Sequence, residues 1–215
     1  MILDTERHAV AEAGRRMLAD RLVAGTAGNV SVRVGDLVAV TPSAVGYAEL
    51  TGAQVGVHQL DGTPVEAPLA PTTELPMHLS AYEITGAGAV VHTHSPAAAA
   101  LSCLVDEVPL VHYYAAMFGG PPRVAAYATY GTVELAEAMA RAMRGRSGCL
   151  LANHGALVTA VDLATALDRA THLEWLCDVA LRVISAGRPP RLLTEVELAA
   201  AARRLAGYRP SPGPG

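Results

Sequence analysis

Apolar residues recur every three to four positions over 5–24, placing Val10, Gly14, Met17, Leu18 and Leu22 on one face. This spacing predicts an amphipathic helix with Asp4 or Thr5 as its cap. Alternating segments at 30–34 and 37–41 flank Gly35-Asp36, and another pair at 55–60 and 63–65 flanks Asp61-Gly62, so two hairpins are expected. A helix is predicted to begin near Thr73 and to carry Glu74, His78 and Tyr82. A strand follows through Val90-Val91-His92-Thr93-His94, and Pro96 opens a short alanine-rich helix ending near Leu101.

Residues 108–130 are expected to form short strands around a Gly119-Gly120-Pro121-Pro122 turn. Helical patterns then cover 132–143, 162–186 and 195–205, with Thr132 capping the first and Gly187 stopping the second. Two strand pieces interrupted at Asn153-His154-Gly155 fill 149–160. With hairpins early and helices interspersed, the fold class is α/β: a largely antiparallel central sheet covered by helices on both faces. One domain over 1–207 and a flexible tail over 208–215 are expected.

Composition narrows the function. The chain has 215 residues, 51% of them hydrophobic and 17% charged, which excludes a disordered protein. A net charge of −4 without like-charge blocks argues against nucleic acid or an anionic membrane as partner. Three widely spaced cysteines (Cys103, Cys149 and Cys177) in apolar settings suggest reduced, buried thiols. The first residues lack a signal-peptide pattern, and no apolar run is long enough to span a membrane, so a cytoplasmic location is expected. All 16 basic residues are arginines. Without lysine, carbonyl chemistry through a Schiff base is impossible, and a metal must act as the electrophile.

The pair His92 and His94 supplies a place for that metal. Residues two apart on a strand point to the same face, so both imidazoles can grip one divalent ion. A single buried histidine is usually a hydrogen-bonded core residue, but two on one apolar strand leave several ring nitrogens in need of partners. Candidates for the remaining ligands are His154, at a glycine-marked strand break, and Glu74. Three imidazoles and a carboxylate suit Zn²⁺, with Mn²⁺, Co²⁺ or Fe²⁺ as substitutes. His8 and His172 are expected at helix surfaces or caps and His58 on a strand surface. His112 is expected in a supporting or structural hydrogen bond.

Taken together, Gly25-Thr26-Ala27-Gly28-Asn29-Val30-Ser31, Thr41-Pro42-Ser43, Thr72-Thr73-Glu74, Val91-His92-Thr93-His94, Val111-His112-Tyr113, Tyr127-Ala128-Thr129-Tyr130-Gly131-Thr132 and Asn153-His154-Gly155 resemble the motifs of the class II aldolase/adducin family. That family is typified by L-fuculose-1-phosphate aldolase and L-ribulose-5-phosphate 4-epimerase. The resemblance implies a three-layer α/β/α sandwich and a homotetramer with active sites between subunits. It makes His92, His94, His154 and Glu74 the resting zinc ligands, and Glu74, once displaced by substrate oxygens, the base. Tyr113 becomes a proton donor to a neighbouring subunit's site, and Thr26, Gly28, Asn29, Ser43, Thr72 and Thr73 a phosphate cradle. Its substrates would be a phosphorylated sugar, or dihydroxyacetone phosphate plus an aldehyde.

Two departures stand out: Ala44 replaces a usual glycine, and Thr72-Thr73 a usual Ser-Ser. Tyr113, where the epimerases carry aspartate, favours aldol cleavage. The rival readings are a dehydratase of the methylthioribulose-1-phosphate type or a decarboxylase on the same platform, and a non-catalytic adducin-like scaffold. The scaffold gives no reason to keep the histidines, Glu74 and Tyr113 together.

Overall fold

The computed structural model describes residues 1–207. The expected tail over 208–215 lies outside them. Eight strands form one sheet: β1 (Asn29–Val34), β2 (Leu37–Val40), β3 (Gly56–Gln59), β4 (Pro64–Glu66), β5 (Ala89–Thr93), β6 (Val124–Ala125), β7 (Gly148–Leu151) and β8 (Gly155–Ala160). Their order is β4-β3-β2-β1-β5-β8-β7-β6. Every pairing is antiparallel except β6 with β7.

Among the described residues, five helices lie against the sheet, α1 (Asp4–Ala19), α2 (Leu75–Thr85), α3 (Pro96–Leu101), α4 (Val133–Ala142) and α5 (Leu163–Ser185), while α6 (Glu195–Ala206) packs on the segment Tyr113–Phe118. Strands buried on both faces need two cores. One packs Val10 and Met17 of α1, Leu101 of α3 and Leu173 of α5 against Val30, Val91 and Val158. The other packs Met77 of α2 and Met139 of α4 against Val38, Val90 and Leu157. The three-layer α/β/α arrangement is therefore present.

Three helices start where a short polar residue accepts an amide two or three positions into the helix. Thr132 takes Leu135, Asp162 takes Thr165, and Thr194 takes Glu197 in a reciprocal capping box. The start of α1 differs from expectation. Leu3 occupies the cap position at φ 52, and neither Asp4 nor Thr5 caps with its side chain. The same helix ends at Ala19 rather than near residue 24, because Arg21 turns left-handed at φ 57 and the Leu22 amide bonds back to the Met17 carbonyl at 2.9 Å. Leu22 is buried all the same.

The largest correction concerns 108–130. In place of several short strands there is a 3₁₀ helix, Tyr113–Phe118, and the two-residue β6. Ala115 and Phe118, three apart, bury one side of this 3₁₀ helix, and Gly119 closes it at φ 79. His58 is buried rather than exposed, with Nδ1 3.2 Å from the Gly62 carbonyl under the β3–β4 hairpin. Cys149 and Cys177 are buried free thiols, whereas Cys103 is exposed. No helix among the described residues is long and apolar enough to cross a membrane.

Candidate metal centre

Four side chains meet at one end of the central strands. His92 Nε2 and His154 Nε2 each lie 3.0 Å from His94 Nε2. Glu74 Oε2 lies 3.1 Å from His92 Nε2, and Glu74 Oε1 lies 3.5 Å from His154 Nε2. All four donor atoms fall within 4.8 Å of one another. Ligands of a tetrahedral zinc at 2.0–2.1 Å stand about 3.3–3.4 Å apart, so this group has the dimensions to hold one cation.

Local backbone explains the convergence. His92 is the penultimate residue of β5 and His94 lies one residue past its end, aimed to the same side. His154 sits in the β7–β8 turn, where Leu151 pairs with Gly155 and Asn153 adopts φ 55. Gly155 is required there, because a Cβ would collide with the Thr93 carbonyl. Glu74 is the residue that caps α2.

Chemistry supports a cation as strongly as distance does. His92 Nδ1 donates to the Ala156 carbonyl at 2.9 Å, which turns Nε2 towards its neighbours as the nitrogen a cation would take. Burial, then repulsion from His92 and His154, pushes the His94 imidazole down to about 4. His154 is likewise pushed to about 4 by burial and by His92. Both rings are thus neutral ligands at ordinary pH. Burial would raise Glu74, but the charge and hydrogen bond of His92, the Asn29 amide and His154 hold it well below the usual carboxylate range. Glu74 Oε1 is buried without any hydrogen-bond partner, an acceptor that a cation would satisfy.

The cluster opens on one side into a cavity of ≈ 390 Å³. Thr26, Gly28, Asn29, Ser43, Thr72 and Thr73, the residues expected to cradle phosphate, all line it. Gly28 (φ 74) brings the loop within contact of the strand: a Cβ there would lie 2.7 Å from the His92 carbonyl oxygen. Thr72 and Thr73 precede the N-terminus of α2, whose dipole favours an anion. Tyr113 is not brought to the cavity of its own chain. It is 43% exposed on the 3₁₀ helix, stacked on His112, whose ring accepts the Tyr114 amide at 3.2 Å.

Several residues at the site were not anticipated from sequence. Tyr127, Tyr130 and Asn153 line the cavity. His78 and Tyr82 of α2 were noted only as helix positions, yet both are buried behind Glu74 and bonded to β1. A larger hollow of ≈ 950 Å³ lies between Arg141, Arg146 and Arg169, and none of the expected site residues reaches it.

The sequence and the fold have counterparts among known proteins. The family described as Class II Aldolase and Adducin N-terminal domain matches residues 8–181. A 5-deoxy-D-ribulose 1-phosphate aldolase of Bacillus thuringiensis is 37% identical over 211 residues, covering 97% of this chain and 99% of its own. A 5-methylthioribulose-1-phosphate/5-deoxyribulose-1-phosphate aldolase of Rhodospirillum rubrum is 38% identical, covering 85% and 83%. The solved structure of an L-fuculose 1-phosphate aldolase superposes with a TM-score of 0.90 at 34% identity, over 94% of this chain and 96% of that one.

Proposed function

This chain belongs to the class II aldolase family, and from that premise we propose a zinc-dependent aldolase. It reversibly cleaves a ketose 1-phosphate to dihydroxyacetone phosphate and a short aldehyde. L-Fuculose 1-phosphate and the 5-deoxy-ribulose 1-phosphates are the substrates in view. Relatives named for both kinds of sugar phosphate match most of this chain. One observation carries the reading: a His₃Glu cluster opens onto the same cavity as a ring of uncharged donors at a helix N-terminus.

His92, His94, His154 and Glu74 would hold the ion. A divalent cation bound there supplies Lewis-acid withdrawal of electron density from the substrate's carbonyl and hydroxyl oxygens. The residues do the rest. In the synthetic direction Glu74 removes the proton from C3 of dihydroxyacetone phosphate. The resulting carbon nucleophile attacks the aldehyde carbon to form the C3–C4 bond. Tyr113 of a neighbouring chain gives the new C4 oxygen its proton. Cleavage reverses each transfer.

The phosphate is bound by Thr26, Ser43, Thr72 and Thr73 together with backbone amides of the Gly28 loop. The Thr72 hydroxyl oxygen already accepts the Glu74 amide at 3.3 Å, so its hydrogen is free to donate. A role for Tyr113 in a second chain's site requires self-association, and a homotetramer is proposed accordingly. The unpaired cysteines suit a reducing, cytoplasmic setting.

The test is a panel of ketose 1-phosphates given to zinc-loaded protein, with dihydroxyacetone phosphate measured by coupled reduction. Release of dihydroxyacetone phosphate from at least one of them is expected. Loss of water or CO₂ without carbon–carbon cleavage would replace aldolase by dehydratase or decarboxylase.

A further inference from the structure

Behind Glu74 runs a directed chain of buried hydrogen bonds, and we infer that it fixes the facing of the Glu74 carboxylate. This makes Asn29, His78 and Ser31 positioning residues for the proton transfer, an inference that rests on the reading of Glu74 as ligand and base. Two periodicities assemble the chain. Glu74, His78 and Tyr82 recur every four residues on one face of α2, while Asn29 and Ser31, two apart, share a face of β1. Ser31 and His78 are fully buried, and Asn29, Glu74 and Tyr82 nearly so.

The polarity of each link follows from the one before. An ionised carboxylate only accepts, so Asn29 must present Nδ2, which donates to Glu74 Oε2 at 2.9 Å. Its Oδ1 then faces His78 Nε2 at 2.5 Å, so that nitrogen carries the proton. His78 Nδ1 is left as acceptor for the Ser31 hydroxyl at 2.7 Å, and Ser31 Oγ in turn accepts from Tyr82 Oη at 2.7 Å. A flipped Asn29 would set oxygen against oxygen at Glu74, and His78 in this tautomer forbids it.

Two consequences separate this chain from ordinary core satisfaction. The second Asn29 hydrogen goes to Thr72 Oγ1 at 3.0 Å, so the amide has none left for a phosphate. Its side chain therefore serves Glu74 rather than the anion. Glu74 is also tethered at one oxygen only: Oε2 is held by Asn29 while Oε1 has no partner. With Oε2 held, Oε1 is the oxygen left to face a cation or a substrate proton.

The test compares wild type, His78→Leu and His78→Gln. The readouts are kcat and KM for cleavage, zinc affinity by chelator competition, and melting temperature. Glutamine can still donate to Asn29 Oδ1 and accept from Ser31; leucine can do neither. The expectation is a fall of roughly 10–100-fold in kcat and in zinc affinity for His78→Leu, with KM little changed and substantial recovery in His78→Gln. If the leucine variant does not fold, Ser31→Ala should show a smaller loss of the same kind.

A folded His78→Leu with wild-type kcat and zinc affinity would overturn the inference, as would equal impairment of both His78 variants. A change confined to KM would return Asn29 to the phosphate. Wild-type protein that neither binds zinc nor cleaves would instead sink the functional reading on which the inference stands.

Discussion

Asn29 and His92 are directly opposed across the β1–β5 ladder, and both reach the same oxygen of Glu74. Asn29 Nδ2 donates to Oε2 at 2.9 Å, and His92 Nε2 stands 3.1 Å from it. Strand pairing thus sets the distance between a cation ligand and the amide that holds the base. A slip of β1 by one residue would turn Asn29 to the other face and away from Glu74.

Glu74→Gln should keep about one zinc per chain and slow proton exchange at C3 of dihydroxyacetone phosphate by roughly 10²–10⁴-fold. Deuterium wash-in followed by NMR measures it. Exchange at the wild-type rate would place the base elsewhere.

Tyr113→Phe should leave that exchange intact while impairing cleavage, because the tyrosine serves the aldehyde half. Tyr113 is exposed on its own chain and absent from its own cavity. Mixing Tyr113→Phe with His94→Ala should restore part of the activity, since one site in the mixed assembly then has both groups. No recovery after subunit exchange would put the proton donor within one chain.

Metal-free protein should lose stability in mild acid. His94 and His154 are pushed down to about 4, first by burial, whereas the unfolded chain titrates near 6.5. Between these values the unfolded chain binds protons that the folded one refuses. Stability is therefore full above about pH 6.5 and falls as pH drops towards 4. Thermal melts of chelator-treated protein across this range should show a steady fall. A flat or rising melting temperature contradicts the burial of neutral rings.

Ala44→Gly should not destabilise the protein. Ala44 lines the cavity at φ 59, a left-handed conformation that costs an L-residue roughly 1–2 kcal/mol. Relief of that strain offsets the extra freedom glycine gives the unfolded chain, about 0.4–1 kcal/mol. A melting temperature lowered by more than a few degrees would mean that the methyl group packs productively.

Much of this architecture is legible in the chain. Thr132 marks a helix start, Gly35-Asp36 a hairpin, and His92 with His94 a shared strand face, because caps, turns and alternation are local. The ion-binding set could be gathered from His-x-His, a glycine-marked break at His154 and Glu74 at a helix start.

What escaped was non-local. The 3₁₀ turn at Tyr113–Phe118 is set by burying Ala115 and Phe118, not by a strand-like alternation. His58, on β3, is buried with its ring turned to the carbonyl of Gly62 in its own hairpin, a packing that strand alternation does not reveal. His78 and Tyr82 carried a readable signal, a four-residue spacing from Glu74, but its meaning depends on which strand faces that helix. Cys103 sits in an apolar segment, yet lies at the end of a short helix beside the Asn153 turn, where its sulfur meets the Asn153 amide at 3.2 Å.

The most direct measurement is the metal content of purified protein and of His94→Ala, read alongside turnover. The account predicts about one divalent ion per wild-type chain, activity that disappears on chelation and returns with zinc, and neither ion nor turnover in the variant. Full turnover by protein stripped of metal, or by His94→Ala, would contradict it.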